Sequence, residues 1–209
     1  MAGKRGLLIA LEGIDGCGKS TQAKRLISAL GERGIAAVTF REPGDTDYGR
    51  ELRRVFVEGR DITPREEMQL FLEDRKIDVR DNIEPALARG VHVVMDRYYL
   101  SSVVYQGTLG LDPDFIRAAN EEFAPRPDLT LILDLPVETA VARIEASRGG
   151  TNSFEGVDYL RKVRELYLRF AEEDGIETID AAAAADTVHE SLLRRVLEQL
   201  DAAASNADR

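Results

Sequence analysis

Residues 13–20 read Gly13-Ile14-Asp15-Gly16-Cys17-Gly18-Lys19-Ser20, which is the phosphate-binding pattern G-x-x-x-x-G-K-[ST]. An apolar run at 7–11 precedes the pattern as a predicted strand, and a helical pattern follows it. Glycine lets the backbone wrap around an anion, and the helix N-terminus directs its positive dipole at the phosphates. The pattern places Lys19 at the β and γ phosphates and Ser20 at Mg²⁺. We therefore predict a nucleoside triphosphate site rather than an ordinary glycine-rich turn.

The composition limits the class of protein. At 209 residues the chain suits one domain, and it lacks the apolar run of ~18 residues that a transmembrane helix needs. The single cysteine, Cys17, cannot form an internal disulfide, which fits a reducing cytosol, and the N-terminus does not read as a signal peptide. The formal net charge of −10 argues against a nucleic-acid polymer as partner, although acidity also serves solubility alone. We expect a cytoplasmic protein with no membrane partner.

Apolar, β-branched runs alternate with helical patterns along the chain. Such an alternation predicts an α/β fold with a parallel sheet that helices cover on both faces. Right-handed crossovers then bring ligands to the carboxyl ends of the strands. We predict one domain over 1–209. The five predicted strands lie at 6–12, 35–40, 91–95, 129–135 and 176–179.

Several segments have recognisable helix and loop signals. The run Thr63-Pro64-Arg65-Glu66 resembles a capping box with proline at the first helical position. A second amphipathic helix is predicted at about 155–172, and the Gly-rich polar loop 147–156 before it is typical of a lid. An apolar helical pattern at 188–200 closes the chain, and the small, polar residues 202–209 are expected to fray.

The third predicted strand ends in Asp96-Arg97-Tyr98. An aspartate that ends an apolar strand beside a phosphate loop is the usual second Mg²⁺ partner, often through a water molecule, although acidic residues also commonly stop strands. The guanidinium of Arg97 would reach the same cleft with a fork suited to phosphate. Asp134 also ends a strand, and we interpret it as a cap for the helix that follows Pro136.

Phe71 and Arg75 lie four residues apart, and therefore on one face of a predicted helix. Phe71 could stack on a nucleobase while Arg75 reaches the edge of the base. The alternatives are that Phe71 is an ordinary core residue and that Arg75 is an exposed partner of Glu73 or Asp74.

Other arginines lie where a phosphate cleft would need them. The segment Arg41-Glu42-Pro43-Gly44 follows the second strand, so its charged side chains should face the cleft from a fixed turn. Arg53 either points inward or is a solvated arginine like Arg50 and Arg54.

The lid segment supplies one more arginine. Arg148 lies inside the loop, and Arg143 precedes it by about one turn. A lid arginine could meet the charge on a transferring phosphoryl group. His92 and His189 form no metal cluster and are interpreted as structural. A catalytic histidine is not needed for transfer to a phosphate monoester, which is largely deprotonated near neutral pH (second pKa about 6).

These residues together resemble the thymidylate kinase family of P-loop nucleoside monophosphate kinases. The resemblance covers nearly the whole chain and is most specific at Val94-Met95-Asp96-Arg97-Tyr98-Tyr99-Leu100-Ser101-Ser102-Val103-Val104-Tyr105-Gln106-Gly107. It implies the P-loop NTPase fold, with a five-stranded parallel sheet flanked by helices on both faces and a short lid. It also implies transfer of a phosphoryl group from ATP to dTMP for dTTP biosynthesis, Mg²⁺ as cofactor and a homodimer.

The resemblance also implies roles for matching residues on the acceptor side. Asp15 would contact the 3′-hydroxyl of the deoxyribose and help order the acceptor phosphate. Tyr105 would crowd the 2′ position and disfavour ribose. Glu42 would lie near Mg²⁺ and the acceptor phosphate. The remaining dTMP contacts would be the phosphate clamp of Arg53 and Arg97, stacking by Phe71, a bond to the carbonyl edge of the base from Arg75, and the base-pocket residues Ser102 and Gln106.

On the ATP side the resemblance implies contacts from the phosphate loop, the residue after it and the arginines near the lid. The ATP contacts would be Gly13, Ile14, Asp15, Gly16, Cys17, Gly18, Lys19, Ser20, Thr21, Arg143 and Arg148. The residues that would act directly in catalysis are Lys19, Asp15, Arg97 and Arg148. The Mg²⁺ contacts would be Ser20 and, through a water molecule, Asp96.

The chain departs from the family pattern in its lid. Gly16 follows Asp15 in the phosphate loop, so the sequence resembles the bacterial type that carries its catalytic arginine in the lid. Lids of that type often read Asp-Arg where this chain has Asn152-Ser153, so only Arg148 matches. Arg161, on the next helix, is a candidate substitute.

Two other functions stay open from the sequence. One is a kinase on the same scaffold that phosphorylates another nucleoside monophosphate or a nucleoside. The other is a nucleotide-dependent regulatory ATPase, which would hydrolyse ATP slowly and respond to a protein rather than to a small acceptor.

Overall fold

A computed structural model describes residues 5–148 and 154–206, and of residues 147, 148, 154, 155 and 206 it describes only the backbone. Five strands form one parallel sheet in the order β2-β3-β1-β4-β5. Helices flank the sheet, so the predicted α/β class is confirmed, and each strand lies within two residues of its predicted bounds. The strands are β1 Leu8–Glu12, β2 Ala37–Arg41, β3 His92–Asp96, β4 Leu129–Asp134 and β5 Ile176–Asp180.

The position of β1 in the sheet determines where a ligand can bind. β1 lies between β3 and β4, and its register places Leu11 beside Asp96 and Glu12 beside Ile132. The connection after β1 runs to one side of the sheet and the later strands extend the other side. The crevice beyond β1 is therefore a topological switch point, where α/β sheets bind ligands.

The predicted helices are confirmed, including the capping box. Thr63 Oγ1 accepts from Glu66 N at 3.2 Å, and the Glu66 carboxylate accepts from Thr63 N at 2.8 Å. A single π-helical turn, Val79–Ile83, joins α3 to α4. The helices are α1 Lys19–Gly31, α2 Asp47–Glu58, α3 Pro64–Asp78, α4 Glu84–Ala88, α5 Tyr99–Thr108, α6 Pro113–Glu121, α7 Val137–Arg148, α8 Phe154–Phe170 and α9 Ala185–Asn206.

The core is built on the central strands. Every residue of β1 is buried, as are all residues of β4 except its last. Helices α1 and α9 contact each other and the sheet, while α5 contacts α3, α6 and α8. Continuous apolar strands bury both faces of the sheet, as the sequence pattern predicts.

The C-terminal expectation is partly wrong. Residues 202–206 were expected to fray, but α9 continues through them to Asn206. Alanine has the highest helix propensity, and the run at 202–204 extends a helix that is already anchored by its buried Leu192 and Val196. Residues 207–209 lie outside the described part of the chain. Within that part, no helix is both long and apolar enough to cross a membrane.

The turn that follows β2 is fixed by buried Asp74 of α3. The Asp74 carboxylate accepts from Gly44 N at 2.7 Å and from the Thr46 hydroxyl. Thr46 Oγ1 accepts in turn from Gly49 N at 3.0 Å and caps α2. The Glu42–Pro43 peptide bond in this turn is cis. A Cβ at position 49 would lie 2.1 Å from the Gly44 carbonyl oxygen, so only glycine fits there.

Substitution Gly49→Ala should therefore destabilise the fold by about 1–3 kcal/mol, the usual cost of overpacking. The midpoint and slope of urea unfolding would measure the change. Gly31→Ala is the matched control, because it also lies in a helix but a Cβ there would meet nothing within 4 Å. The control should leave the protein equally stable or stabilise it by up to ~1 kcal/mol. Equal effects of the two changes would contradict the packing argument.

Candidate active site

The phosphate loop of the predicted pattern connects β1 to α1. Gly13, Gly16 and Gly18 have φ values of 131°, 82° and 101°, which residues other than glycine rarely adopt. The Lys19 ammonium is buried and donates to the Gly13 and Ile14 carbonyl oxygens, each at 2.9 Å. The loop thus holds a positive charge at the N-terminus of a 13-residue helix. Both features favour a bound phosphate.

The predicted metal pair is brought together at the start of α1. The Ser20 hydroxyl donates to Asp96 Oδ2, and Asp96 is buried at the end of β3. Arg41 Nε lies 3.8 Å from the same oxygen. A hydroxyl and one carboxylate suit Mg²⁺, which prefers oxygen ligands and keeps several waters and substrate phosphates in its shell. Among the described residues, no group of three or more His, Cys, Asp or Glu side chains is arranged to hold a metal.

A cleft of about 270 Å³ opens over the loop and the metal pair. It brings together residues that the sequence separates by more than 120 positions. Arg143 reaches it from α7, where its guanidinium also donates to the Ala181 carbonyl oxygen at 3.2 Å. The lining residues are Asp15, Gly16, Gly18, Lys19, Ser20, Thr21, Arg41, Asp96, Arg97, Arg143 and Ile144.

Arg97 is the most constrained cation in the cleft. Its φ of 71° makes it the one residue other than glycine with a left-handed backbone in the described chain. Its guanidinium donates to Asp15 at 2.8 Å, to Ser101 Oγ at 3.0 Å and to Tyr105 Oη at 3.3 Å. The same group lies 5.1 Å from the centre of the Tyr105 ring. Strained backbone of this kind persists only where surrounding contacts fix it, and it concentrates at functional sites.

The carboxylate of Asp15 faces the Arg97 guanidinium. Desolvation opposes its ionisation, but the charges of Arg97 and Lys19 outweigh that effect and lower the Asp15 pKa to about 2. The Tyr105 hydroxyl also donates to Asp15, at 3.2 Å. Asp15 is therefore a fixed anion at any physiological pH.

Arg75 is fully buried, which excludes its interpretation as an exposed partner of Glu73 or Asp74. Its Nε donates to both Glu42 carboxylate oxygens at 2.9 Å, and its Nη atoms donate to Glu42, Asn120 and Ser102. Burial raises the pKa of Glu42, although the positive charge of Arg75 favours the ionised carboxylate and opposes this shift. The Glu42 carboxylate thus faces Arg75, and the Glu42 backbone N contacts the end of β3, where it donates to Asp96 O at 3.2 Å.

Phe71 does not belong to the core, contrary to the usual reading of an aromatic at helical spacing. It is half-buried, and its ring lies 6.2 Å from that of exposed Phe56. Glu67, Phe71 and Arg75 form a stripe on α3 that faces a stripe on α5. Gln106 Nε2 donates to Glu67 at 2.8 Å at one end, and Arg75 donates to Ser102 at 3.1 Å at the other. Phe71 lies between these two cross-helix bonds.

Gln106 has an unused acceptor beside these facing stripes. The residue is 1% exposed, and its Oε1 has no hydrogen-bond partner although its Nε2 is bonded to Glu67. An unpaired buried carbonyl oxygen costs free energy, which a ligand donor would recover.

Arg53 is not a free surface arginine. Its Nη1 donates to the carbonyl oxygens of Pro43 and Gly44, at 3.0 and 2.7 Å, and its Nη2 donates to Asp45. Arg53 is therefore anchored on the turn after β2. Arg50 also donates to this turn, at Asp45 O (2.6 Å), and pairs with Asp47, whereas Arg54 pairs with acids of its own helix.

Part of the predicted lid lies outside the described residues. Residues 149–153 and the side chain of Arg148 belong to that part, so the role expected of Arg148 stays a prediction. Arg161, the candidate substitute, is exposed and paired with Glu138 and Asp158.

Asp134 does not cap the next helix as expected. Arg164 of α8 binds both of its carboxylate oxygens, at 2.7 and 2.8 Å. This two-bond ion pair reaches across to α8, so the acid that ends β4 ties two elements together instead of capping the segment that follows it.

The sequence reading missed three residues that organise the site. Glu12 is buried at the end of β1, Asn120 of α6 holds Arg75, and Arg60 pairs with buried Glu67. Arg60 also lies 5.6 Å from the centre of the Tyr159 ring. Glu12 had a sequence signal, since it is an acid in an otherwise apolar run. Asn120 meets Arg75 across 45 residues, which leaves no local pattern. Arg60 lies seven positions before Glu67, but in the connection before α3, where no helical spacing indicates the pair.

Comparison with known proteins gives one consistent answer. A family model described as thymidylate kinase matches residues 11–192. A probable thymidylate kinase of Archaeoglobus fulgidus is 45% identical over 192 residues, which are 92% of this chain and 95% of the relative. Thymidylate kinases of Xanthomonas campestris pv. campestris (strain B100) and Desulfotalea psychrophila are 42% and 40% identical, over 97% and 96% of this chain and 90% and 98% of the relatives.

The buried acid Asp78 makes the stability of the protein depend on pH. Its Oδ1 accepts from Asn82 at 2.7 Å, but its buried Oδ2 has no partner. Burial raises the pKa of Asp78, and the negative charges of Asp74 and Asp81 add to this effect while Asn82 and Arg75 oppose it. The folded state therefore holds a proton on Asp78 at a pH where the unfolded chain has lost it. Ionisation of Asp78 costs stability above its ordinary pKa of 3.8.

We predict that Asp78→Asn stabilises the protein at pH 7 and that the gain shrinks toward zero as the pH falls to about 4. Urea unfolding at several pH values would measure it. Asp81→Asn is the control, because Asp81 is exposed and Arg80 lowers its pKa, so this change should bring no gain. A gain from Asp78→Asn that is the same at pH 4 and pH 7 would contradict the argument.

Proposed function

This chain belongs to the thymidylate kinase family, and on that basis we propose that it transfers the γ-phosphoryl group of ATP to dTMP, giving ADP and dTDP. The observation that carries the proposal is the shared cleft. It is lined by Lys19 and Ser20 of the phosphate loop and also by Arg97, which is paired with Asp15. Lys19 and Arg97 both donate to the Gly13 carbonyl oxygen, so a donor triphosphate on the loop and an acceptor phosphate on Arg97 would be adjacent, as direct transfer requires.

On the donor side, the loop and Lys19 would hold the ATP phosphates, and Arg143 would contact ATP from α7. Ser20 and Asp96 would hold Mg²⁺, which when bound neutralises charge on the β and γ phosphates. The contact between the Ser20 hydroxyl and Asp96, at the N-terminus of α1, supports this assignment. The role expected of Thr21 and the lid role expected of Arg148 are part of the same proposal.

On the acceptor side, Arg97 and Arg53 would clamp the phosphate of dTMP. Asp15 would contact the 3′-hydroxyl, and Tyr105, bonded to both Asp15 and Arg97, would occupy the 2′ side of the sugar. A phosphate monoester is largely a dianion near neutral pH (second pKa about 6), so its oxygen can attack the γ phosphorus without a general base. The cations stabilise charge that is already present rather than move protons.

The base would lie between the facing stripes of α3 and α5. Thymine offers an N3–H donor next to a carbonyl oxygen, and cytosine offers an acceptor at N3 next to an amino donor. The unpartnered Gln106 Oε1 would accept from N3–H, and Arg75 would donate to the carbonyl edge. Ser102 and Glu42 hold Arg75 in place, so with a cytosine base the N–H donors of Arg75 would face the amino group of the base, which is also a donor. Phe71 would stack on the ring.

The test is an ADP-release assay with Mg-ATP and a panel of dTMP, dUMP, UMP, dCMP, dGMP, AMP and thymidine. We expect strong preference for dTMP. Preference for another acceptor would keep the kinase and refute the base pocket. ATP binding without acceptor-dependent turnover would indicate a regulatory ATPase. The homodimer that the family resemblance implies and the cytoplasmic location that the composition implies stay predictions.

Stacking by Phe71 leads to a specific prediction. Phe71→Ala should raise the KM for dTMP about fivefold or more, because stacking of a base on an aromatic side chain contributes ~1–3 kcal/mol. The KM for ATP should stay within about twofold. Phe115→Ala is the matched control, since Phe115 is a 50% exposed aromatic on α6 for which we propose no contact with substrate. Equal loss of dTMP and ATP affinity in Phe71→Ala would argue against stacking.

A further inference from the structure

Glu12 is a completely buried carboxylate at the point where β1 enters the phosphate loop. It is 0% exposed, and it accepts four hydrogen bonds. Oε1 accepts from the backbone N atoms of Tyr98 and Ser101, at 2.9 and 3.2 Å. Oε2 accepts from Ser101 Oγ at 2.6 Å and from the Tyr167 hydroxyl at 3.0 Å. A buried charge needs such a full set of donors, so Glu12 fixes the geometry of everything that donates to it.

The first role of this carboxylate is to cap α5. The residue before that helix, Tyr98, makes no side-chain cap of its own, and Glu12 of β1 accepts from the backbone N–H groups of Tyr98 and Ser101 instead. The Ser101 N–H is shared with the Tyr98 carbonyl oxygen, at 3.0 Å. A negative charge at a helix N-terminus is favourable on electrostatic grounds. The start of α5 is thus attached to the end of β1.

Arg97 lies immediately before this capped helix start. Its backbone is left-handed, with φ of 71°, and its N donates to Leu11 O at 3.0 Å. Its side chain donates to Ser101 Oγ, and that hydroxyl donates onward to Glu12. The Glu12 carboxylate therefore holds Arg97 in two ways. It binds the backbone N of the next residue, Tyr98, and it binds the Ser101 hydroxyl that accepts from the Arg97 guanidinium.

We propose that Glu12 is a positioning residue that holds Arg97 in register with the phosphate loop, so that the acceptor phosphate meets an arginine already aimed at it. This inference rests on the proposed function, in which Arg97 binds the phosphate of dTMP. Glu12 is buried away from the cleft and acts through Arg97 and Ser101. It directly precedes Gly13, so one carboxylate aligns the donor loop with the acceptor clamp. The Tyr167 hydroxyl adds a contact from α8.

The test compares ligands with and without a phosphate. Glu12→Gln keeps an oxygen for the two backbone N–H groups but loses the charge and one acceptor. Calorimetry should show dTMP binding weakened about tenfold, a typical loss for a hydrogen bond to a charged group. Thymidine, which lacks the phosphate, and ATP should bind within about twofold of wild type. An equal loss for dTMP and thymidine would overturn the proposal and assign Glu12 a purely structural role.

Asp128→Asn is the matched control for stability. Asp128 also binds β1, since it accepts from Leu8 N at 2.7 Å, but it does so at the opposite end of the strand. It should lower the urea midpoint without changing the ratio of dTMP to thymidine affinity. If Glu12→Gln fails to fold, Tyr167→Phe removes one of the four bonds and keeps the charge. It should weaken dTMP about two- to fourfold and leave thymidine unchanged; no change in that ratio would overturn the proposal.

A double-mutant cycle separates action through Arg97 from a direct effect. In an Arg97→Ala background, Glu12→Gln should cost no further dTMP affinity. A full additional loss would show that Glu12 does not act through Arg97. The proposed function fails separately, and only if wild-type protein lacks preference for dTMP in the acceptor panel. Suppose that wild-type protein prefers dTMP, but that Glu12→Gln changes the affinities for dTMP and thymidine equally. This result would refute the positioning role and leave the proposed kinase function standing.

Discussion

The parallel sheet imposes one constraint on which the whole site depends: all strand ends meet along a single edge. Charged residues end several of these strands, and the register places Glu12, Arg41 and Asp96 at the same end of the sheet. Acids and bases gathered so closely must either pair or face solvent. The acids that end β1, β3 and β4 accordingly have defined partners: Glu12 accepts from Ser101, Asp96 from Ser20 and Asp134 from Arg164.

Pairing with acids fixes the cations before any substrate arrives. Glu42 holds Arg75, Asp15 holds Arg97, and the turn after β2 holds Arg53. A chain with a formal net charge of −10 thus contains arginines that are held by fixed contacts, and of these three Arg97 lines the cleft. Groups that are fixed in advance need no reorganisation when charge must be stabilised, and this is the main electrostatic advantage that an active site has over water.

Local patterns in the sequence predicted the sheet, the phosphate loop and the Ser20–Asp96 pair, because apolar strands and glycine spacing are short-range signals. Contacts between side chains that are distant in sequence could not be predicted in this way. Arg75 meets Glu42 and Asn120 across 33 and 45 residues, so a helical pattern alone could not tell a buried guanidinium from an exposed one. Periodicity likewise shows that Phe71 shares a face with Arg75 but not whether a neighbour covers that face. Asp134 was misread for the same reason, since its partner Arg164 lies on α8.

The left-handed backbone of Arg97 shows how these constraints combine. Such a conformation costs on the order of 1 kcal/mol or more in a residue other than glycine. An extended or helical backbone at position 97 would send the side chain elsewhere or break the strand-to-helix turn. The bond from Arg97 N to Leu11 O and the capping of α5 by Glu12 offset this cost on either side of the residue. The low pKa of Asp15 keeps an anion beside the guanidinium. In the proposed function, an incoming acceptor phosphate would therefore share Arg97 with a carboxylate that stays ionised. A single arginine shared in this way would hold a dianion weakly, which is consistent with the proposal that Arg53 contributes a second cation and with the presence of Lys19 in the same cleft.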